Sequence, residues 1–211
     1  MRRGAGADRV AILLDGEYVK RVLRQRLTRF PSQADVIGEV RRIQRNSALD
    51  AFSLYRVFYY TAEPLSGTAI HPLTGNRIDF GNTTVFSRNT QLIDLIENEP
   101  DVAVRRGALV HQGWQIGPAA VRALTQGDTK TVGSGDVIPK ILQKGVDMRI
   151  GLDLAWLALK RLVGAVVLVS GDSDLVPALK LARREGLRVY LDALGNRRIR
   201  QELKKHADLV L

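Results

Sequence analysis

Apolar residues fall along this chain in blocks with two spacings. Val10 to Leu14 is an unbroken apolar run ending in Asp-Gly, the form of a strand buried on both faces. Over 17–29 the spacing changes to that of a helix, with Val19, Val22, Leu23 and Leu27 on one face and basic residues on the other. A second helix is expected over 33–45, bounded by Pro31, and Leu54 to Tyr60, rich in Val, Phe and Tyr, reads as a strand. Residues 64–82 carry Pro64, Gly67, Pro72, Gly75 and Gly81 and read as a long loop. A helix over 87–97, a strand from Val102 to Val110 and a second loop over 126–136 follow.

The last third alternates strictly. A helix over about 148–160, a strand Ala165–Val169, a helix over 175–185, a strand Leu187–Leu191 and a helix over 198–206 precede the apolar end Leu209–Leu211. The strands are continuous apolar runs joined by links of a few residues. That pattern belongs to a parallel sheet covered on both faces.

Composition narrows the chemistry. The 211 residues contain no cysteine, which excludes a disulfide framework, thiolate metal sites and a Cys nucleophile. The histidines, His71, His111 and His206, are too scattered to build a zinc site. The longest apolar run, Leu154 to Leu159, is far short of a membrane span, and too few apolar residues precede Asp15 for a signal peptide. A cytoplasmic protein without a membrane partner is expected. Lys and Arg number 32 against 22 Asp and Glu, a net charge of +10. Basic residues cluster at Lys20, Arg21, Arg24, Arg26 and Arg29, at Arg41, Arg42 and Arg45, and at Arg197, Arg198, Arg200, Lys204 and Lys205. They form either a solvated face or the footprint of a polyanion, for which nucleic acid is the natural partner.

In an open parallel sheet, ligands bind beyond the carboxyl ends of the strands. Asp15 ends the first strand, with Glu17 beyond it, and Asp172 and Asp174 follow Ala165–Val169 in SGDSD. Asp147 opens the helix before that strand, and Asp153 lies inside its apolar stretch LDLAWLAL. Each acid has a plainer reading. Asp174 and Asp147 suit helix caps, Asp172 and Asp15 suit turns, Glu17 suits a first helical turn, and Asp153 could pair with Arg149 four residues back. If they point into one crevice, their repulsion calls for a hard divalent cation with oxygen ligands, Mg²⁺ or Mn²⁺.

Three segments resemble one family. QKGVDMRIGLDLAWLAL at 143–159, VVLVSGDSDLVPALKLARREGLRVYLDALG at 166–195 and VAILLDGEYVKR at 10–21 look like the NYN family of LabA-like, PIN-related nuclease domains; the stretch between about 60 and 135 offers no match. The resemblance implies a three-layer α/β/α sandwich with a central, mainly parallel sheet of PIN-like, Rossmann-like topology. A single domain over 9–211 is expected after a basic flexible N-terminus over 1–8, and the long loops at about 64–82 and 126–136 are either insertions in it or candidate lids. The resemblance implies a metal-dependent ribonuclease cutting single-stranded RNA, and a homodimer is a further family expectation. By motif, Asp15, Asp153, Asp172 and Asp174 are the catalytic acids, and with Asp147 they are the metal ligands. Lys144 and Ser170 are expected to contact phosphate or hold the carboxylates, and Lys20, Arg21 and Arg24 to track the backbone. Tyr18, Trp114 and Trp156 could stack bases, although Trp156 fits a core position better.

One position departs from the pattern. Many members read Asp-Gly-x-Asn at the first motif, where this chain has Tyr18. That departure supports a second reading, a PIN-like RNA-binding or protein-interaction module with a weakened site. A phosphatase of the haloacid-dehalogenase type is a third. Its Asp-x-Asp nucleophile motif is absent, the chain reading Asp15-Gly16-Glu17-Tyr18.

Overall fold

A computed structural model describes residues 6–127, 131–196 and 199–211. Two compact units divide them, the larger formed by Met1–Thr61, Leu92–Gly107 and Gly145–Leu211, the smaller by Ala62–Gln91 and Ala108–Lys144.

The larger unit is built on parallel strands. β1 (Arg9–Asp15) pairs in parallel with β2 (Ser53–Glu63) on one side and β7 (Ala165–Val169) on the other. β7 pairs in parallel with β8 (Arg188–Leu191), and β8 with β9 (Leu209–Val210). All five residues of β7 and all but the first of β1 are buried, as expected for strands covered on both faces. On one face, Ile12, Leu14, Tyr59, Val167 and Val169 pack with Val19 and Leu23 of α1 (Gly16–Leu27) and Val36, Val40 and Ile43 of α2 (Gln33–Gln44). The alternate positions Ala11, Leu13, Val166 and Leu168 are buried too. Their side is that of α5 (Val146–Leu159), which pairs with Tyr60 of β2, and of α6 (Val176–Arg184), packed on α5. The unit is thus an α/β fold with helices flanking a mainly parallel sheet.

Local chemistry sets the helix starts. Ser32 and Asp35 form a capping box on α2, which Arg29 reinforces by gripping both Asp35 oxygens. Pro177 sits in the first turn of α6, where its missing N–H costs nothing.

β2, β5 (Val102–Ile116) and α3 (Thr84–Glu97) run from one unit into the other. In the smaller unit, the latter half of β5 pairs antiparallel with β6 (Val137–Lys144), giving a seven-stranded order β6-β5-β2-β1-β7-β8-β9. The unit also holds the hairpin of β3 (Thr68–Ile70) and β4 (Arg77–Asp79) and the helix α4 (Pro118–Thr125).

Several boundaries differ from the pattern-based reading. Residues 64–82 are not a bare loop but contain the β3–β4 hairpin, whose three-residue strands are too short to show a period. β5 runs on to Ile116, past Val110. β6 carries Pro139, which argues against an interior strand but is tolerated at the sheet's edge. The last helix, α7 (Gln201–Lys205), starts later than expected, and Arg197 and Arg198 lie outside the described residues, as does part of 126–136. No helix among the described residues is long and apolar enough to cross a membrane.

Candidate functional site

Asp15 is the last residue of β1 and the cap of α1, and these two roles fix both of its oxygens. Oδ1 accepts from the Tyr18 backbone N–H at 3.1 Å, and Oδ2 accepts from Ser170 Oγ at 2.9 Å. Ser170 is fully buried just past β7, the parallel neighbour of β1, and its Oγ also accepts from the Asp172 N–H at 3.1 Å. Asp172 in turn accepts from the Asp174 N–H at 2.9 Å and caps the short 3-10 turn Ser173–Leu175. A chain of local bonds thus carries from Asp15 through Ser170 to the SGDSD turn.

The electrostatics connect Asp147 to this group. Burial, followed by the charge of Asp172, pushes the Asp15 carboxyl above the usual carboxylate range, against the bonds from Tyr18 and Ser170. Asp147, in the first turn of α5, is also raised, by desolvation first and then by Asp172, Asp15 and Asp174. The helix N-terminus favours its charge, yet repulsion from three carboxylates and desolvation prevail. At the carboxyl edge of the sheet, Asp15 thus feels the charge of Asp172, and Asp147 feels those of Asp172, Asp15 and Asp174.

Asp153 has other company. Its Oδ2 accepts from Tyr60 Oη at 2.9 Å and from Arg105 Nε at 3.0 Å. The partner considered from the sequence, Arg149, turns back instead and donates to Gly145 O at 2.7 Å. Tyr60 stands in register with Asp15 on the adjacent strand, so Asp153 meets the row of β2 beside the acids. Burial and the Asp153 charge push the Tyr60 phenol well above its ordinary value, so it stays a donor.

The expected substrate residues divide. On α1, Lys20 pairs with Glu17 at 3.0 Å, Arg21 lies 5.4 Å over the Tyr18 ring, and Arg24 is exposed. Lys144 ends β6 in the smaller unit and is exposed. Tyr18 is buried at 3% exposure and donates its hydroxyl to Ala193 O at 3.0 Å, so it cannot stack a base. Its ring lies under the SGDSD turn, where a Cβ on Gly171 would come within 2.6 Å of Tyr18 Cε2. Trp114 stays within the smaller unit, tilted against His71 at 4.8 Å between centroids. Trp156 is not core: it is 57% exposed, with Met148, Leu152 and Leu159 exposed on the same helix, and Lys160 rests 5.0 Å over its ring.

Sequence reasoning missed three groups. Tyr60 and Arg105 carried no local signal. Asp192, buried at 1%, directly follows β8 in VYLD, much as Asp15 closes β1 in ILLD; that repeated pattern of an apolar strand run and then Asp could have found it. Its Oδ2 accepts from Arg42 at 2.7 Å, and Arg42 also donates to Glu39, which Arg26 grips as well. Arg200 reaches Ser173 Oγ at 2.5 Å and sets a cation beside the acidic turn.

The hard oxygen donors of Asp15, Asp147, Asp172 and Asp174 suit a divalent cation in charge and donor type. Among the described residues, no three acidic or histidine side chains stand close enough to form a ready cage for it.

The family model of the NYN domain matches residues 9–211. An uncharacterized protein of Sinorhizobium fredii, y4oD, is 47% identical over 49 residues, a match spanning 23% of each chain. A crystal structure of a protein of unknown function from Vibrio parahaemolyticus covers 100% of this chain and 95% of its own, with TM-score 0.53 and 15% identity, a likeness of fold alone.

Proposed function

The chain belongs to the NYN domain family, whose members are generally nucleases of the PIN-like group, and we propose on that premise that it is a metal-dependent ribonuclease hydrolysing phosphodiester bonds of single-stranded RNA. The observation that carries this reading is the convergence of Asp15, Asp147, Asp172 and Asp174, two of them with raised pKa values owed in part to the others. Mg²⁺ or Mn²⁺ held by these carboxylates would lower the pKa of a water and neutralise charge on the phosphate. The protein's own part is orientation. Ser170 and the Tyr18 N–H hold Asp15 in one rotamer, and the Ser170 bond to the Asp172 N–H fixes the SGDSD turn beside it. The exposed Arg21 and Arg24, on the helix that Asp15 caps, would follow the RNA backbone without reading sequence. A homodimer, expected from the resemblance, stays within this proposal, and sedimentation of the purified protein tests it.

Cleavage of a labelled single-stranded RNA with Mn²⁺ or Mg²⁺, with and without EDTA, tests the activity beside Asp172→Asn. Cutting that EDTA stops and that folded Asp172→Asn lacks supports the nuclease. A second reading, an RNA-binding module without cleavage, draws on the open spacing of the acids. RNA bound with a steep salt slope but never cut with either metal would favour it.

A further inference from the structure

Arg105, on the first half of β5, is half-exposed yet held at two points. Its Nε donates to Asp153 Oδ2 at 3.0 Å, and its guanidinium lies 5.2 Å over the Phe58 ring. Phe58 and Tyr60 share one face of β2 and stack with centroids 6.3 Å apart, forming an aromatic shelf under the pair. Among the described residues, neither Nη of Arg105 has a hydrogen-bond partner. A guanidinium fixed through Nε with both Nη groups free is a preformed fork for a phosphate. β5 neighbours β2, and β2 brings Tyr60 into register with Asp15, so the fork sits two strands from the carboxylates. Neighbouring strands are about 4.8 Å apart, so the strands that carry the two features lie about 10 Å apart across the sheet.

Asp153 fits the role of holder. Tyr60 and Arg105 converge on the same oxygen, so a cation there would compete with a guanidinium already in place. We propose that Asp153 is a positioning residue that aims Arg105, and that Arg105 grips a backbone phosphodiester of the bound RNA. This rests on reading the carboxyl edge as an RNA site, and it replaces the metal-ligand role expected for Asp153.

The test separates aim from charge. Binding of a fluorescein-labelled oligouridylate is measured in EDTA over a salt series, where no metal chemistry contributes. Arg105→Gln is expected to weaken binding about tenfold and to lower the salt slope by about one. Arg105→Lys, which keeps the charge but loses the fork, should retain the slope and recover only part of the affinity. Removing a negative charge near RNA should by itself strengthen binding. Asp153→Asn is instead expected to weaken it, with the double variant no weaker than Arg105→Gln alone. Mn²⁺ affinity, followed by titration calorimetry, should be unchanged in Asp153→Asn. Tighter RNA binding by Asp153→Asn, loss of its Mn²⁺ binding, or wild-type affinity in Arg105→Gln would each overturn the proposal. A wild-type protein that binds RNA but never cuts it would count against the nuclease alone, because the binding arms need no cleavage. A folded wild type that binds no RNA would overturn both.

Discussion

Ser170 Oγ donates to Asp15 Oδ2 at 2.9 Å across 155 residues of sequence, and both side chains are buried. Without that bond, the carboxylate would keep its desolvation cost and lose one of its two donors. Ser170→Ala should therefore push the Asp15 pKa higher still. The acid limb of the pH–rate profile should move to higher pH, and stability should fall by about 1–2 kcal/mol. A profile whose acid limb stays in place would break the connection between Asp15 ionisation and activity.

Asp147 should oppose folding when it is charged. Its folded pKa is raised, so its ionisation costs nothing below the unfolded value near 4, and the full cost is present above the folded value. Asp147→Asn is expected to raise Tm at pH 7 by about 1–2 °C, a small gain because the group is largely open to water. The gain should vanish as pH falls through about 4. Melting curves from pH 3 to 8 decide it, and a Tm lowered at pH 7 would show that the helix N-terminus outweighs the repulsion.

Gly171 is held to glycine by its neighbour and not by its backbone angle. An added Cβ would meet the Tyr18 ring at 2.6 and 3.2 Å, and that ring is buried and anchored by its hydroxyl. Gly171→Ala should cost about 1–3 kcal/mol. Combined with Tyr18→Leu, it should cost less than the two changes separately, because the clash is then gone. Denaturant unfolding of the four proteins measures the coupling, and additive losses would place the strain elsewhere.

Tyr59 is fully buried, and its hydroxyl has no hydrogen-bond partner among the described residues. An orphaned buried hydroxyl carries its desolvation cost without return. Tyr59→Phe is expected to leave stability unchanged or raise it by up to about 1 kcal/mol. A clear loss of stability would reveal a water bridging the hydroxyl to the nearby acids.

The spine of the fold was legible because the signals were local. A buried parallel strand such as Ala165–Val169 must be apolar throughout, and its boundaries agree with the reading from pattern. The acids at the ends of β1 and β7 followed from the same logic, since a strand's end is visible in its own residues. The hairpin over 68–79 and the edge strand β6 escaped it. The hairpin strands have too few residues to show a period and Pro139 interrupts β6, and pairing with other strands makes them regular.

By itself, the sequence determined that this chain builds a parallel sheet with carboxylates at its carboxyl edge, because alternation, run length and turn residues act within a few positions. Only the tertiary structure decided what those side chains face. It gave Asp153 to Tyr60, 93 residues away, and to Arg105, 48 residues away, and not to Arg149 one turn back. It buried Tyr18 beneath Gly171 and turned Trp156 outward. The physical reason is common to all three. A helix's periodicity fixes which residues share a face, but the distant segments that pack against the helix decide which face is covered and what each side chain meets.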